Sequence, residues 1–73
     1  MNKTWQVMYG GGILVAQFDH EKDAEQLVRY DSNNLLGLRV VEYWEDFNRT
    51  VFTGPLNNIE AYWIIKMKCG KEI

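Results

Sequence analysis

A short run of acidic residues is the part of the sequence that most resembles a metal-binding site. Asp19, Glu21 and Asp23 alternate with other residues, as the first ligands of a calcium-binding loop do. Such a loop also needs glycine at its sixth position and a bidentate glutamate at its twelfth, where this chain has Ala24 and Tyr30. Because both of these positions fail, we interpret the run as the acidic first turn of a helix, where the helix dipole favours negative charge. No metal site is predicted.

Catalysis requires a nucleophile or a proton-transfer group in a suitable neighbourhood. The single histidine, His20, has no serine or cysteine nucleophile near it in the sequence. The single cysteine, Cys69, has no histidine neighbour to activate it and is expected to be a small buried hydrophobe. Glu42 and Glu45 would point to opposite faces of a strand, so they do not form a matched acid–base pair. We predict no catalytic residue and no cofactor, and we do not expect an enzyme.

Three consecutive glycines at residues 10–12 present backbone N–H groups that could bind a phosphate. They lack the Lys-Ser/Thr that completes a P-loop, and a predicted strand follows them instead of a helix. Glycine readily takes the positive φ that hairpin turns require. We therefore predict a β-hairpin with strands at residues 4–9 and 13–18, and no small-molecule ligand.

The elements that follow the hairpin predict an α+β fold. Asp19 is the predicted N-cap of a short amphipathic helix over residues 19–32, which Asn33 or Asn34 ends in the left-handed conformation. Residues 38–47 form the longest run of β-formers. Turn-forming residues at 46–49 predict a second hairpin that returns over residues 50–53.

The segment over residues 57–69 fits two patterns. Its period-2 alternation favours a helical turn at residues 57–60 followed by a fifth strand over residues 61–69. Asn57 and Gly70, however, suit the start and the end of a helix. The favoured architecture is β-β-α-β-β-β, a mainly antiparallel four- to five-stranded sheet with one helix packed on one face. The alternative is β-β-α-β-β-α, with the C-terminal segment helical.

Length and composition limit the class of protein. The 73 residues predict one small α+β domain over residues 1–73, and one cysteine allows no intrachain disulfide. The N-terminal residues lack the layout of a signal peptide, and no apolar run is long enough for a membrane span. We therefore expect a cytoplasmic protein without a membrane partner. The net charge of −2 disfavours a protein that neutralises phosphates.

The predicted sheet presents more aromatic surface than the predicted helix can cover. That helix would be about 20 Å long at about 1.5 Å per residue, and strand alternation directs aromatic side chains to both faces of the sheet. Either the tyrosines tolerate water and the C-terminal segment covers the sheet, or the surplus forms an interface. We predict a non-enzymatic protein-interaction module. It either forms a homo-oligomer, namely a dimer, or binds a host protein. The predicted contact residues are Tyr43, Trp44, Phe47, Tyr62 and Trp63.

The alternative function is binding of single-stranded nucleic acid. An aromatic sheet face can stack bases, and Lys66, Lys68 and Lys71 would supply the positive charge. The sequence lacks the glycine and aromatic signature of a recognised RNA-binding strand, so nucleic acid is the less favoured partner.

A strand that ends at Phe18 and runs into the acid-rich residues 19–25 resembles small proteins of bacteria and their phages in which a strand leads into an acid-capped helix. The resemblance implies an accessory protein of a phage or another mobile element.

Overall fold

The computed structural model describes residues 2–45 and 51–70. The elements in chain order are β1 (Asn2–Tyr9), β2 (Ile13–Phe18), α1 (Glu21–Arg29), β3 (Arg39–Glu45) and α2 (Asn58–Cys69). The three strands form one antiparallel sheet in the order β2-β1-β3, so β1 is central and β3 lies at one edge. The predicted α+β class is confirmed.

The first hairpin forms as predicted. Gly10 and Gly12 have φ values of 61° and 139°, a region that residues with a Cβ rarely adopt. The register pairs Trp5 with Phe18 and Val7 with Ala16 before it shifts beyond Val7. These four side chains therefore share one face of the sheet, and they belong to the core or pack against it.

Helix α1 begins one residue later than the predicted N-cap allows. His20 is the N-cap, and its carbonyl oxygen accepts the N–H groups of Asp23 and Ala24 at 3.2 and 3.4 Å. Asp19 lies before the helix, and its N–H donates to the carbonyl oxygen of Phe52 at 3.2 Å. The predicted N-cap at Asp19 is wrong for this reason.

The predicted end of the first helix is also corrected. The helix ends at Arg29 with Tyr30 as its C-cap, so it does not extend to residue 32. The buried carboxylate of Asp31 then accepts the N–H groups of Leu35, Leu36 and Gly37 at 2.8, 3.0 and 3.1 Å. This carboxylate fixes the loop that returns the chain to β3.

The predicted four- to five-stranded sheet is not found, since the described residues contain three strands. The turn predicted at residues 46–49 lies outside the described residues. Residues 51–53 of the predicted return strand form a single parallel β-bridge, which joins Phe52 to Phe18. The N–H of Phe52 donates to the carbonyl oxygen of Gln17 at 2.8 Å, so this segment lies beside β2.

The fifth strand predicted over residues 61–69 is wrong, and the helical alternative is found. Asn57 and Glu60 form a capping box: Glu60 N–H donates to Asn57 Oδ1 at 2.8 Å, and Asn57 N–H donates to Glu60 Oε1 at 3.2 Å. Gly70 ends the helix with a φ of 69°, and its N–H donates to Lys66 O. These terminal signals prevail over the period-2 pattern.

The core lies between the sheet and the two helices. Helix α1 contacts all three strands, and α2 packs against β2. The buried apolar side chains are those of Val7, Val15, Ala16, Phe18, Ala24, Leu27, Leu36, Leu38, Leu56, Ala61 and Ile65. Neither helix within residues 2–45 and 51–70 is long and apolar enough to span a bilayer.

Candidate interaction surface

Helix α2 has apolar residues on two opposite sides. Ala61 and Ile65 are buried at 0% and 1% exposure and anchor the helix in the core. Ile59, Trp63 and Met67 follow at intervals of four residues, so they lie in one row on the other side. Their exposed fractions are 70%, 58% and 72%. A surface helix normally has its apolar residues on the side that faces the core, whereas α2 also has an uncovered apolar row.

We call this row together with the neighbouring Tyr62 the outer stripe. The rings of Tyr62 and Trp63 meet edge to face with centroids 6.0 Å apart. The Nζ of Lys66 lies 5.8 Å from the centroid of Tyr62 and 5.5 Å from that of Trp63, within cation–π range of both. The two rings and the lysine therefore contact one another within the monomer, and such contacts reduce the side-chain entropy that is lost on binding.

Opposite charges flank the row of Ile59, Trp63 and Met67. Glu60 lies three residues before Trp63 and Lys66 lies three residues after it. At about 100° per residue, these positions are about 60° to either side of Trp63. The apolar row therefore has an acidic flank and a basic flank.

A second aromatic cluster lies on the sheet near its β3 edge. Trp44 is paired with Lys3, and Glu42 is paired with Trp5. The Nζ of Lys3 is 3.0 Å from Glu42 Oε1, 5.4 Å from the centroid of Trp5 and 5.8 Å from that of Trp44. Trp44 is 57% exposed, and a lysine of its own chain lies over its ring, as Lys66 lies over Trp63.

The five predicted contact residues do not form one surface. Tyr43 and Trp44 are adjacent on a strand and so point to opposite faces of the sheet. Tyr62 and Trp63 lie on α2 beside β2, at the other edge from β3. Phe47 lies outside the described residues. The predicted residues that the structure describes therefore lie in two separate places, and of these two places α2 has the continuous row.

The prediction missed Ile59 and Met67, which complete the row. Their four-residue spacing from Trp63 was present in the sequence, but it has meaning only when the segment is helical. The favoured strand interpretation places Trp63 and Met67 on the same side as the buried Ala61 and Ile65, so it does not predict an exposed row.

The predicted basic set is also divided. Lys66 and Lys68 are two residues apart on a helix, which separates them by about 200°. Lys66 lies over the aromatic rings, whereas Lys68 lines an open groove of about 430 Å³ together with Leu14, Phe52 and Ile64. Lys71 lies outside the described residues. The two described lysines therefore do not line one basic channel.

The chemistry-bearing residues lie apart from the outer stripe. His20 Nε2 is 3.7 Å from Asp19 Oδ1 at the start of α1, and Cys69 is half-buried at the end of α2. Within residues 2–45 and 51–70, no three side chains of His, Cys, Asp or Glu come together as a metal site would require.

Comparisons with protein-family models, with curated proteins and with solved structures found no match. The part of the chain that the structure describes is a small α+β unit with a three-stranded sheet and two helices, and the second helix has an exposed apolar row.

Proposed function

We propose that this chain is a non-enzymatic protein-interaction module that self-associates through the outer stripe of α2. The observation that supports the proposal is the row of Ile59, Trp63 and Met67, three large apolar side chains that are each more than half exposed on one side of a helix. Contiguous apolar patches that include tryptophan and tyrosine are typical of interface hot spots, whereas single exposed apolar residues are not.

The outer stripe supports a dimer of modest affinity. The exposed fractions of Ile59, Trp63 and Met67 together equal about two complete side chains per copy. Burial of one large apolar side chain contributes about 1.5 to 3 kcal/mol, so two copies gain about 6 to 12 kcal/mol. Association costs at least about 4 kcal/mol. The remaining gain of about 2 to 8 kcal/mol corresponds to a dissociation constant between about 30 mM and about 1 µM, and we place the dimer in the tighter part of this range, below about 1 mM.

Two properties of the whole chain agree with self-association in the cytoplasm. The net charge of −2 causes little repulsion between copies. The single cysteine provides no disulfide framework of the kind that small secreted domains use. We include a cytoplasmic location in the proposal.

Sedimentation velocity from about 10 µM to about 1 mM tests self-association, because the proposal places the dissociation constant below about 1 mM. We expect the mass of the wild type to rise toward that of a dimer, and Trp63→Lys to remain monomeric. Trp44→Lys is the matched control, since Trp44 and Trp63 are 57% and 58% exposed. A wild type that is monomeric throughout, or equal effects of the two variants, would refute the proposal. Circular dichroism verifies that both variants are folded.

A further inference from the structure

The two charges that flank the row of Ile59, Trp63 and Met67 affect how two copies can pack against each other. Glu60 lies about 60° to one side of Trp63 and Lys66 about 60° to the other. Glu60 uses Oε1 to accept the N–H of Asn57, while the side chain itself is exposed to solvent. Lys66 is held over the stripe by the rings of Tyr62 and Trp63. Both charges therefore border the apolar row at defined places.

Twofold symmetry allows two arrangements of packed α2 helices. An axis along the helices makes them parallel and carries each flank to the opposite side, so Glu60 of one copy shares a side with Lys66 of the second copy. An axis perpendicular to both helices makes them antiparallel and keeps each flank on its own side. The two glutamates would then share one side and the two lysines the other.

From this charge pattern we infer that the partner is a second copy whose α2 lies parallel to the first. The inference rests on the proposed function. In the parallel arrangement the interface contains two Glu60–Lys66 pairs, whereas the antiparallel arrangement centred on Trp63 places like charges on the same side, at the same axial separation. Six residues separate the members of a pair along the axis, about 9 Å. The lysine side chain leans toward the N-terminus of its helix and spans much of this distance.

Disulfide trapping tests the orientation directly. In a parallel pair each Ile59 lies beside its own counterpart, near the reach of about 7 Å between Cα atoms that a disulfide allows. In an antiparallel pair centred on Trp63 the two Ile59 residues are about 12 Å apart along the axis. We therefore expect Ile59→Cys in a Cys69→Ser background to form a covalent dimer under mild oxidation. An equimolar mixture of Ile59→Cys and Met67→Cys chains would crosslink to each other only if the helices are antiparallel.

Neutralising Glu60 tests the charge argument through the sign of its effect. Glu60→Gln keeps an oxygen that can accept the N–H of Asn57, so the capping box survives. With parallel helices the variant loses two attractive pairs, and we expect the dissociation constant to rise about twofold to tenfold. With antiparallel helices it removes repulsion and would tighten the dimer. Glu25→Gln on α1 removes the same charge from an exposed position and should leave the dissociation constant unchanged.

The possible failures are distinguishable. A wild-type chain that stays monomeric overturns both the proposed function and the parallel arrangement. A dimer that tightens with Glu60→Gln, or that yields Ile59–Met67 crosslinks, overturns the parallel arrangement alone. Loss of the Glu60→Gln effect in about 1 M salt supports the electrostatic origin of the orientation.

Discussion

Among the polar residues, Asp31 is the one whose replacement we expect to lower the free energy of unfolding most. Its carboxylate is buried and accepts three backbone N–H groups, those of Leu35, Leu36 and Gly37. A hydrogen bond to a charged group contributes about 1.5 to 3 kcal/mol, and an unsatisfied buried donor costs about 1 to 3 kcal/mol. Leu35 and Gly37 are exposed, so water can replace their bonds, whereas Leu36 is buried. We expect Asp31→Ala to lower the free energy of unfolding by about 3 kcal/mol.

Two further variants separate hydrogen bonding from other causes. Asp31→Asn keeps one carbonyl oxygen in place of two carboxylate oxygens, so it should lie between Asp31→Ala and the wild type. Asn33→Ala changes an exposed side chain in the same loop and should alter the free energy by less than about 0.5 kcal/mol.

Urea denaturation followed by tryptophan fluorescence measures the free energies of all three variants. The low end of the stability range for folded domains is about 5 kcal/mol, so a loss of about 3 kcal/mol moves the midpoint markedly. A loss below about 1 kcal/mol for Asp31→Ala would show that the loop does not depend on this carboxylate.

Two other predictions concern the way α2 is held. Asn57→Ala removes the acceptor of the Glu60 N–H and should lower the free energy of unfolding by about 1 kcal/mol, with loss of helical circular dichroism on heating as the readout. Ile65→Ala should cost about 2 to 5 kcal/mol in urea denaturation because Ile65 is 1% exposed, whereas Met67→Ala, at 72% exposure, should cost less than about 0.5 kcal/mol. Equal costs for these last two would mean that the buried and exposed sides of α2 are assigned wrongly.

Local signals in the sequence predict the elements in the first half of the chain, although not the ends of α1. The alternation in β1 and the glycines after Tyr9 specify a hairpin through adjacent residues, and the acid-rich segment specifies α1. The error at Asp19 has a distant cause, because the carbonyl oxygen that holds its N–H belongs to Phe52. A pairing between residues so far apart along the chain leaves no local pattern.

The prediction for residues 61–69 is wrong because the polar side of α2 is narrower than that of an ordinary amphipathic helix. A helix with one apolar stripe shows a clear 3.6-residue period, but apolar residues on two sides blur that period and leave a stretch that resembles alternation. The capping residues Asn57, Glu60 and Gly70 were the reliable signal, since each serves a specific backbone position. Tyr62 and Trp63 are in the predicted contact set because they are aromatic, whereas Ile59 and Met67, their neighbours on the helix, are not in it.

The bridge between Phe52 and Phe18 has a consequence for the order in which the protein is made. The hairpin can close as soon as its own residues leave the ribosome, yet the outer edge of β2 stays uncovered until Phe52 and then α2 arrive. Exposed strand edges recruit other strands, so the nascent chain passes through a stage in which it is prone to aggregate. Truncation before Phe52 would make that stage permanent, and such fragments should accumulate in inclusion bodies.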